Sequence, residues 1–401
     1  MGLFPQIGRA WLSIDEKIYL WNFRNGMDIC CIEEVGQVII SVGLVKPKSD
    51  VFVSEIEYLL ILATPLEIVL IGLTFGDDGM KYYPTNLKLS SDNVNILSVQ
   101  TTENGRIFMC GSDGNLYEFV YQAEEGWFTR KCRKLNHTSS SLSLFVPTFL
   151  KFQQNDPIYQ ISIDSSRSLL FSLSESNLIQ VFTFDGEQNL HKIAENSDVF
   201  QQALRLCPRT SLLNHKDFSI VSIHAIDKKE SKFINLVAVT CNGIRLYFST
   251  LSREHRNFDK RRLSMISDRG STCELIHVRL PPESSAQPIQ YKQLVGDWIS
   301  NIHTAFYRNG VFLAANAVTE DEDSLWLAGL NQSQLCSPLK TKNMENYTEA
   351  IIEGKIWAID ELSQNCALDE CLNLSNELAS QNVAKQREFL VLTNSGNLIL
   401  N

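Results

Sequence analysis

Histidine, cysteine and clustered carboxylates are the side chains that could do chemistry here, and their spacing supplies little to work with. The seven histidines (137, 191, 215, 224, 255, 277 and 303) are scattered, with no pair at metal-ligand spacing. His224 and His303 fall on strand-like runs that would face a central channel. Ten cysteines form no CxxC pair; Cys30 and Cys31 are adjacent, Cys366 and Cys371 are five apart, and the rest stand alone. Cys110 and Cys241 lie in apolar runs and read as small buried hydrophobes, the pattern of reduced thiols in a cytosolic or nuclear compartment. The acidic run Glu320–Asp323 sits at a predicted hairpin tip and reads as exposed charge. HExxH, GxSxG, GKS/T and glycine-rich phosphate loops are all missing. Ser112-Asp-Gly-Asn-Leu-Tyr117 echoes a sialidase turn, but its Asp and Gly are adjacent, as an ordinary hairpin requires. A channel-centred glycosidase would need two converging carboxylates, and nothing points to them. The expectation is a non-enzymatic chain without catalytic residues, metal or cofactor.

Composition agrees. The 401 residues are 44% hydrophobic, enough for a large core, and carry a formal charge of −10. That balance argues against a general nucleic-acid-binding surface, because phosphate contacts need clustered Lys and Arg. Residues Met1–Ser13 lack the apolar core of a signal peptide. The most apolar run, Leu59–Leu73, is broken by Pro65 and Glu67; it reads as two strands joined at Thr64-Pro65, not a membrane span.

The elements that must position these residues repeat. A β-rich run, a tight polar turn and a second β-rich run recur around Lys17, Pro65, Gly114, Asn177, Gly243, Asp321 and Gly396. Asn242-Gly243 is a turn pair that tolerates positive φ. After it, Ile244, Leu246 and Phe248 alternate with Arg245 and Tyr247. Runs such as Ile96–Gln100, Ile158–Asp164, Ile220–Ile226, Ile302–Phe306 and Ile356–Asp360 precede the hairpins and read as innermost strands. Seven such units predict an all-β, seven-bladed β-propeller with a few loop helices, one domain over 1–401. The first hairpin lies so near Met1 that an incomplete first blade is expected, with one terminus completing the blade begun by the other. Three insertions, Lys131–Gln154, Ser252–Gly270 and Asn331–Tyr347, are the expected functional loops.

Within the first insertion, Leu142, Phe145, Val146, Phe149 and Leu150 share one face of a helical wheel, opposite Ser139, Ser140, Ser141, Ser143 and Thr148. Bulky apolar residues opposite small uncharged ones suit a sensor of lipid-packing defects. Pro147 would cost a helix through it about 3 kcal/mol, so the helix is expected to start near Ser143. Burying the five side chains would contribute at most ~8–15 kcal/mol, and ordering the segment costs a similar sum, so membrane contact would be weak and reversible. From the residues alone, a loop helix folding that face onto the propeller is the favoured reading. In the second insertion, Arg261-Arg-Leu-Ser264 matches a basophilic kinase site, though such short matches arise by chance and an exposed, mobile loop is the safer reading.

Several stretches closely resemble the amino-terminal propeller of the nucleoporin 155/nucleoporin 170 family of inner-ring scaffold nucleoporins. They include Arg9-Ala-Trp-Leu-Ser-Ile-Asp15, Val42-Gly-Leu-Val-Lys-Pro-Lys48, Leu62-Ala-Thr-Pro65, Asn104-Gly-Arg-Ile-Phe108, Tyr121-Gln-Ala-Glu-Glu-Gly-Trp-Phe128, Asn242–Thr250 and His277-Val-Arg-Leu-Pro-Pro282. The resemblance implies a structural role in the nuclear pore complex at the nuclear envelope, supporting nucleocytoplasmic transport. It implies a linker nucleoporin of the nucleoporin 53 class as partner. It also implies a membrane-binding loop matching Ser139–Phe152, which turns the odds for the five apolar residues toward lipid. In the family a segment precedes the propeller and an α-helical solenoid follows it; the first is expected to be missing or shortened here and the second absent. The alternative is a peptide-binding propeller of another scaffold, a vesicle coat or a ubiquitin-ligase adaptor.

Overall fold

Five of the seven expected hairpins open on a Thr or Ser, and that hydroxyl fixes the turn. Thr64 Oγ1 accepts from the Glu67 N–H at 3.0 Å, Ser174 Oγ from Leu178 at 3.2 Å and Thr240 Oγ1 from Ile244 at 3.1 Å. Thr319 Oγ1 accepts from Glu322 at 3.0 Å and Thr393 Oγ1 from Gly396 at 3.1 Å. A short hydroxyl side chain satisfies backbone donors that a two- to four-residue turn leaves free. Gly114 (φ 80), Asn177 (φ 66) and Gly243 (φ 74) take the left-handed positions the turns demand.

The computed structural model describes the chain apart from residues 77–78, 124–130, 139–155, 187–188, 209–212, 253–269, 282–300, 331–344, 363–386 and 401. Seven antiparallel sheets follow in chain order, each pairing strands in sequence order. Blade I holds β1 (Gly2–Phe4), β2 (Arg9–Ile14), β3 (Lys17–Asn22) and β4 (Cys30–Ile32). Blade II holds β5 (Ser41–Val45), β6 (Tyr58–Ala63), β7 (Glu67–Gly76) and β8 (Gly79–Ser90). Blade III holds β9 (Ile96–Thr101), β10 (Ile107–Gly111), β11 (Leu116–Tyr121) and β12 (Cys132–Asn136). Blade IV holds β13 (Ile158–Asp164), β14 (Leu169–Ser174), β15 (Ile179–Asp185) and β16 (Asn189–Asn196). Helix α1 (Val199–Leu206) leads to blade V, which holds β17 (Ile220–Ala225), β18 (Leu236–Thr240), β19 (Arg245–Ser249) and β20 (Glu274–Arg279). Blade VI holds β21 (Ile302–Arg308), β22 (Val311–Ala317), β23 (Glu322–Leu330) and β24 (Glu345–Glu353); blade VII holds β25 (Ile356–Glu361), β26 (Phe389–Thr393) and β27 (Gly396–Leu400). The seven-bladed propeller expected from the turns is therefore what forms, and each predicted hairpin joins the second and third strands of its blade.

The expected inner strands β9, β13, β17, β21 and β25 are each first in their sheets, with neighbours side by side around the axis. Side-chain-to-backbone bonds tie them: Gln160 both donates to Ile223 O (3.1 Å) and accepts from Ile223 N (2.8 Å), and Ser41 Oγ donates to Ile96 O at 2.7 Å. Several second and third strands, β10, β11, β14 and β18 among them, are buried on both faces and so read as largely apolar runs. Each blade-to-blade contact has its own apolar cluster. Leu169, Phe171, Leu236 and Leu246 help fill IV/V, and Ile61, Leu70, Ile107 and Phe119 help fill II/III. Each fully buried Leu, Ile or Phe contributes about 1.5–3 kcal/mol.

Blade I corrects the expectation of an incomplete first sheet. Three residues of β1, a 3-10 turn over Pro5–Ile7 and the left-handed Gly8 (φ 66) fit an inner strand and its corner ahead of β2. The three-stranded sheet is blade VII, and among the described residues no strand of blade I joins it. Blades I and VII meet instead through Ala10, Phe23, Leu362, Leu390 and Leu392. Cys110 is buried as expected, whereas Cys241 lies just past β18, half-buried, with its Sγ 3.0 Å from Asp217 O. The third insertion ends sooner than expected, because Glu345–Tyr347 already belong to β24.

Candidate functional site

What the alternation of β19 disguised is a buried charge between blades V and VI. Arg245 was on the polar side of that pattern, yet its side chain is 1% exposed. Its guanidinium donates to Glu345 Oε1 at 2.9 Å and Oε2 at 2.8 Å, a bidentate pair across the blade gap. It also lies 5.0 Å from the Phe312 ring and 5.7 Å from Trp326. Arg279 reaches Glu345 Oε1 at 2.7 Å, and Tyr347 donates to Oε2 at 2.9 Å. Burial would lift the Glu345 carboxyl, but the Arg245 hydrogen bonds and charge outweigh it and hold it below its ordinary range.

Similar nodes join other blades. Arg106 pairs with Glu118 through two 2.8 Å bonds, His137 Nε2 adds a third contact at 2.9 Å, and Arg106 also donates to Gly186 O of blade IV at 3.3 Å. Burial raises the Glu118 carboxyl and these partners more than reverse the effect. Arg167, held by Asp164 at 2.7 Å, donates to Ile226 O (2.9 Å) and Ser231 O of blade V. Arg387 is gripped by Glu361 and donates to Arg308 O (3.0 Å) and Asn309 O (3.1 Å) of blade VI. All three arginines precede second strands, where the corner brings a side chain against the next blade's backbone. Sequence reasoning missed them, although the Gly105-Arg106 and Ser166-Arg167 placement before a strand was a usable signal.

Asp323, read from sequence as exposed, is completely buried. It accepts from His303 Nε2 (2.9 Å), Lys355 Nζ (2.9 Å) and Ile356 N (2.7 Å), tying blade VI to VII. Glu320, Asp321 and Glu322 are exposed as expected. His224 does lie on an inner strand; its Nε2 is 3.0 Å from Ser222 Oγ, and burial pushes its imidazole down to about 4. Among the described residues no three His, Cys, Asp or Glu side chains gather as metal ligands.

Between blades III and IV a polar cleft of 360 Å³ is lined by Asp113, Asn115, His137, Thr138, Asp156 and Lys192 among others. Thr138 and Asp156, the described residues that flank the 139–155 segment, both lie on this rim. Thr138 Oγ1 accepts from Leu116 N at 3.0 Å. Asp156 accepts from Ser174 Oγ (2.6 Å) and Ser176 N (2.9 Å). Leu142, Phe145, Val146, Phe149 and Leu150 themselves, like Ser264, lie outside the described residues.

Seven radial sheets, with polar clusters fastening several blades to the next, define a seven-bladed β-propeller. The model of the Nucleoporin_N family, described as Nup133 N terminal like, matches residues 1–399, and the chain belongs to that family. It is 33% identical over its whole length to nuclear pore complex protein Nup154 of Drosophila melanogaster. It is 28% identical over 99% of its length to nucleoporin NUP170 of Chaetomium thermophilum. The chain spans 30% of the length of each of these curated relatives. The crystal structure of the Chaetomium thermophilum Nup170 NTD–Nup53 complex superposes with a TM-score of 0.83 at 26% identity, covering 99% of this chain and 57% of that one. The Chaetomium thermophilum Sqt1 propeller shares the fold alone, at 10% identity and a TM-score of 0.50.

Proposed function

We propose that this chain is a single propeller domain acting as a non-enzymatic scaffold in the inner ring of the nuclear pore complex, at the nuclear envelope, where it supports nucleocytoplasmic transport. It docks a linker nucleoporin of the nucleoporin 53 class and touches the nuclear membrane through Leu142, Phe145, Val146, Phe149 and Leu150. The likeness over nearly the whole chain to the Nup170 domain solved with Nup53 carries this reading. Proximity labelling in cells should return inner-ring nucleoporins, and a purely cytosolic neighbour list would overturn it. For the membrane half, the chain should float with small liposomes, and Phe145→Asp combined with Phe149→Asp should lose at least ten-fold of that binding. Equal flotation of variant and wild type would refute lipid contact by this face. The tightly bonded rim at Thr138 and Asp156 supports the reading, since a loop that inserts into lipid needs firm roots.

A further inference from the structure

The outer edge of a propeller blade is an open sheet edge, and proteins guard such edges with short strands, bulges, lysines or prolines. Blade I ends in the three residues of β4, and β12 and β27 have five each. Strand β8 carries Lys81, Pro84 and Lys88 and a register shift; β16 and β20 each combine a shift with a cation, Lys192 and Arg279. Strand β24 has no lysine, proline, bulge or short length, and the charges it carries are the glutamates Glu345, Glu349 and Glu353. Its nine residues pair with β23 in unbroken register from Glu345↔Leu330 to Glu353↔Glu322. Its sequence, ENYTEAIIE, holds no Lys, Arg or Pro, and Tyr347, Thr348, Ile351 and Ile352 are its β-formers. Six consecutive residues, 346–351, are exposed, so both faces of this edge meet solvent.

We propose that the outer edge of β24, which pairs with no further strand among the described residues, is a strand-docking site for a basic, extended segment of a partner protein. Such a segment would add a fifth strand to blade VI through backbone hydrogen bonds. The charge along the edge selects its chemistry. Glu345 is already neutralised by Arg245 and Arg279, and Lys355 is held by Asp323. That leaves Glu349 and Glu353 on the strand, with Glu322 opposite Glu353 and Glu320 and Asp321 beside the turn. Strand alternation puts Tyr347, Glu349, Ile351 and Glu353 on one face, where Ile351 is 56% and Tyr347 37% exposed. A complementary antiparallel strand therefore carries Lys or Arg opposite Glu353 and Glu349 and apolar residues opposite Ile351 and Tyr347, alternating at every second position.

The same pattern disfavours a second copy of this chain. Two-fold antiparallel pairing of β24 about its midpoint would set Glu349 against Glu349 and Glu345 against Glu353, and like charges directly opposite repel.

The probe is a fluorescein-labelled, amidated peptide of alternating Lys-Thr-Val-Thr repeats, titrated with the full chain and read by anisotropy. Saturable binding is expected, with slowed amide hydrogen exchange at 346–351. Replacing the peptide's Lys by Glu should weaken it at least ten-fold, as should N-methylation of alternate peptide amides. Glu349→Lys with Glu353→Lys should lose the basic peptide and gain the acidic one, a rescue that misfolding could not produce; Glu353→Lys alone, remote from the Ser324–Glu349 bond, should shift preference the same way. Unchanged binding of the N-methylated peptide, no saturation up to millimolar peptide, or self-association of the chain in sedimentation would each overturn the proposal.

Discussion

Consider Glu345→Ala, which deletes the acceptor between blades V and VI. Glu345 is 6% and Arg245 1% exposed, so the change strands a guanidinium that water cannot reach. Arg245 Nε has no hydrogen-bond partner even in the intact protein, and Arg279, now 2.7 Å from the lost carboxylate, would become a repelling neighbour. Breaking a buried pair from one side costs about 3–5 kcal/mol, whereas replacing both partners by apolar residues of similar volume is near neutral. For 401 residues, an unfolding entropy of about 2.1 cal/mol/K per residue gives roughly 0.84 kcal/mol/K, so Tm should fall by about 4–6 °C. Calorimetry and urea titration of Glu345→Ala, and of Arg245→Met with Glu345→Leu, would measure both arms. The double variant should stay within about 1 kcal/mol of wild type, because Phe312 and Trp326 offer its side chains an apolar slot. A single-variant loss below about 1 kcal/mol, or a double variant as unstable as the single, would refute the claim that the charge is buried and committed.

Other outcomes follow from neighbouring features. Gly114→Ala should cost about 1–3 kcal/mol in urea melts, since the residue sits at φ 80 and a Cβ there would lie 2.8 Å from the backbone oxygen of Asp156. Glu118, whose folded pKa is depressed, contributes stability that is present above its unfolded pKa and lost as pH falls through the folded one; Glu118→Gln should flatten the acid limb of the stability profile. Asp360 is the opposite case. Burial pushes it up to about 6, so its ionisation costs stability from the unfolded pKa upward, in full above pH 6. Asp360→Asn should raise stability at pH 7.5 by about 1–2 kcal/mol, allowing for its partial exposure, and do little at pH 4.

The blade count was readable because a propeller repeats one local device, a hydroxyl-capped turn between two β-rich runs. Local chemistry at Thr64, Ser174, Thr240, Thr319 and Thr393 leaves a local trace. The fasteners left almost none. Arg245 and Glu345 are 100 residues apart, and nothing near either names its partner. Asp323 misled because its companions in the acidic run are exposed, and only the strand's first turn into the blade buries it. The incomplete first blade was a misjudged length, since an inner strand of three residues is shorter than pattern reading credits. The start of β24, Glu345–Tyr347, was hidden inside a presumed insertion.

One consequence lies in the way the ring shuts. Lacing two chain ends into one sheet locks a propeller's circumference with backbone hydrogen bonds, whereas among the described residues blades I and VII share no strand pairing and meet through side chains such as Phe23 and Leu390 and the exposed Arg24–Glu388 pair at 3.3 Å. That junction is a zipper without teeth, and a torus with one soft segment breathes there first. Amides of β2, β3 and β26 should exchange with solvent sooner than those of β14 and β18. Uniform protection around the circle would show that side-chain adhesion alone suffices to make it as stiff as the rest.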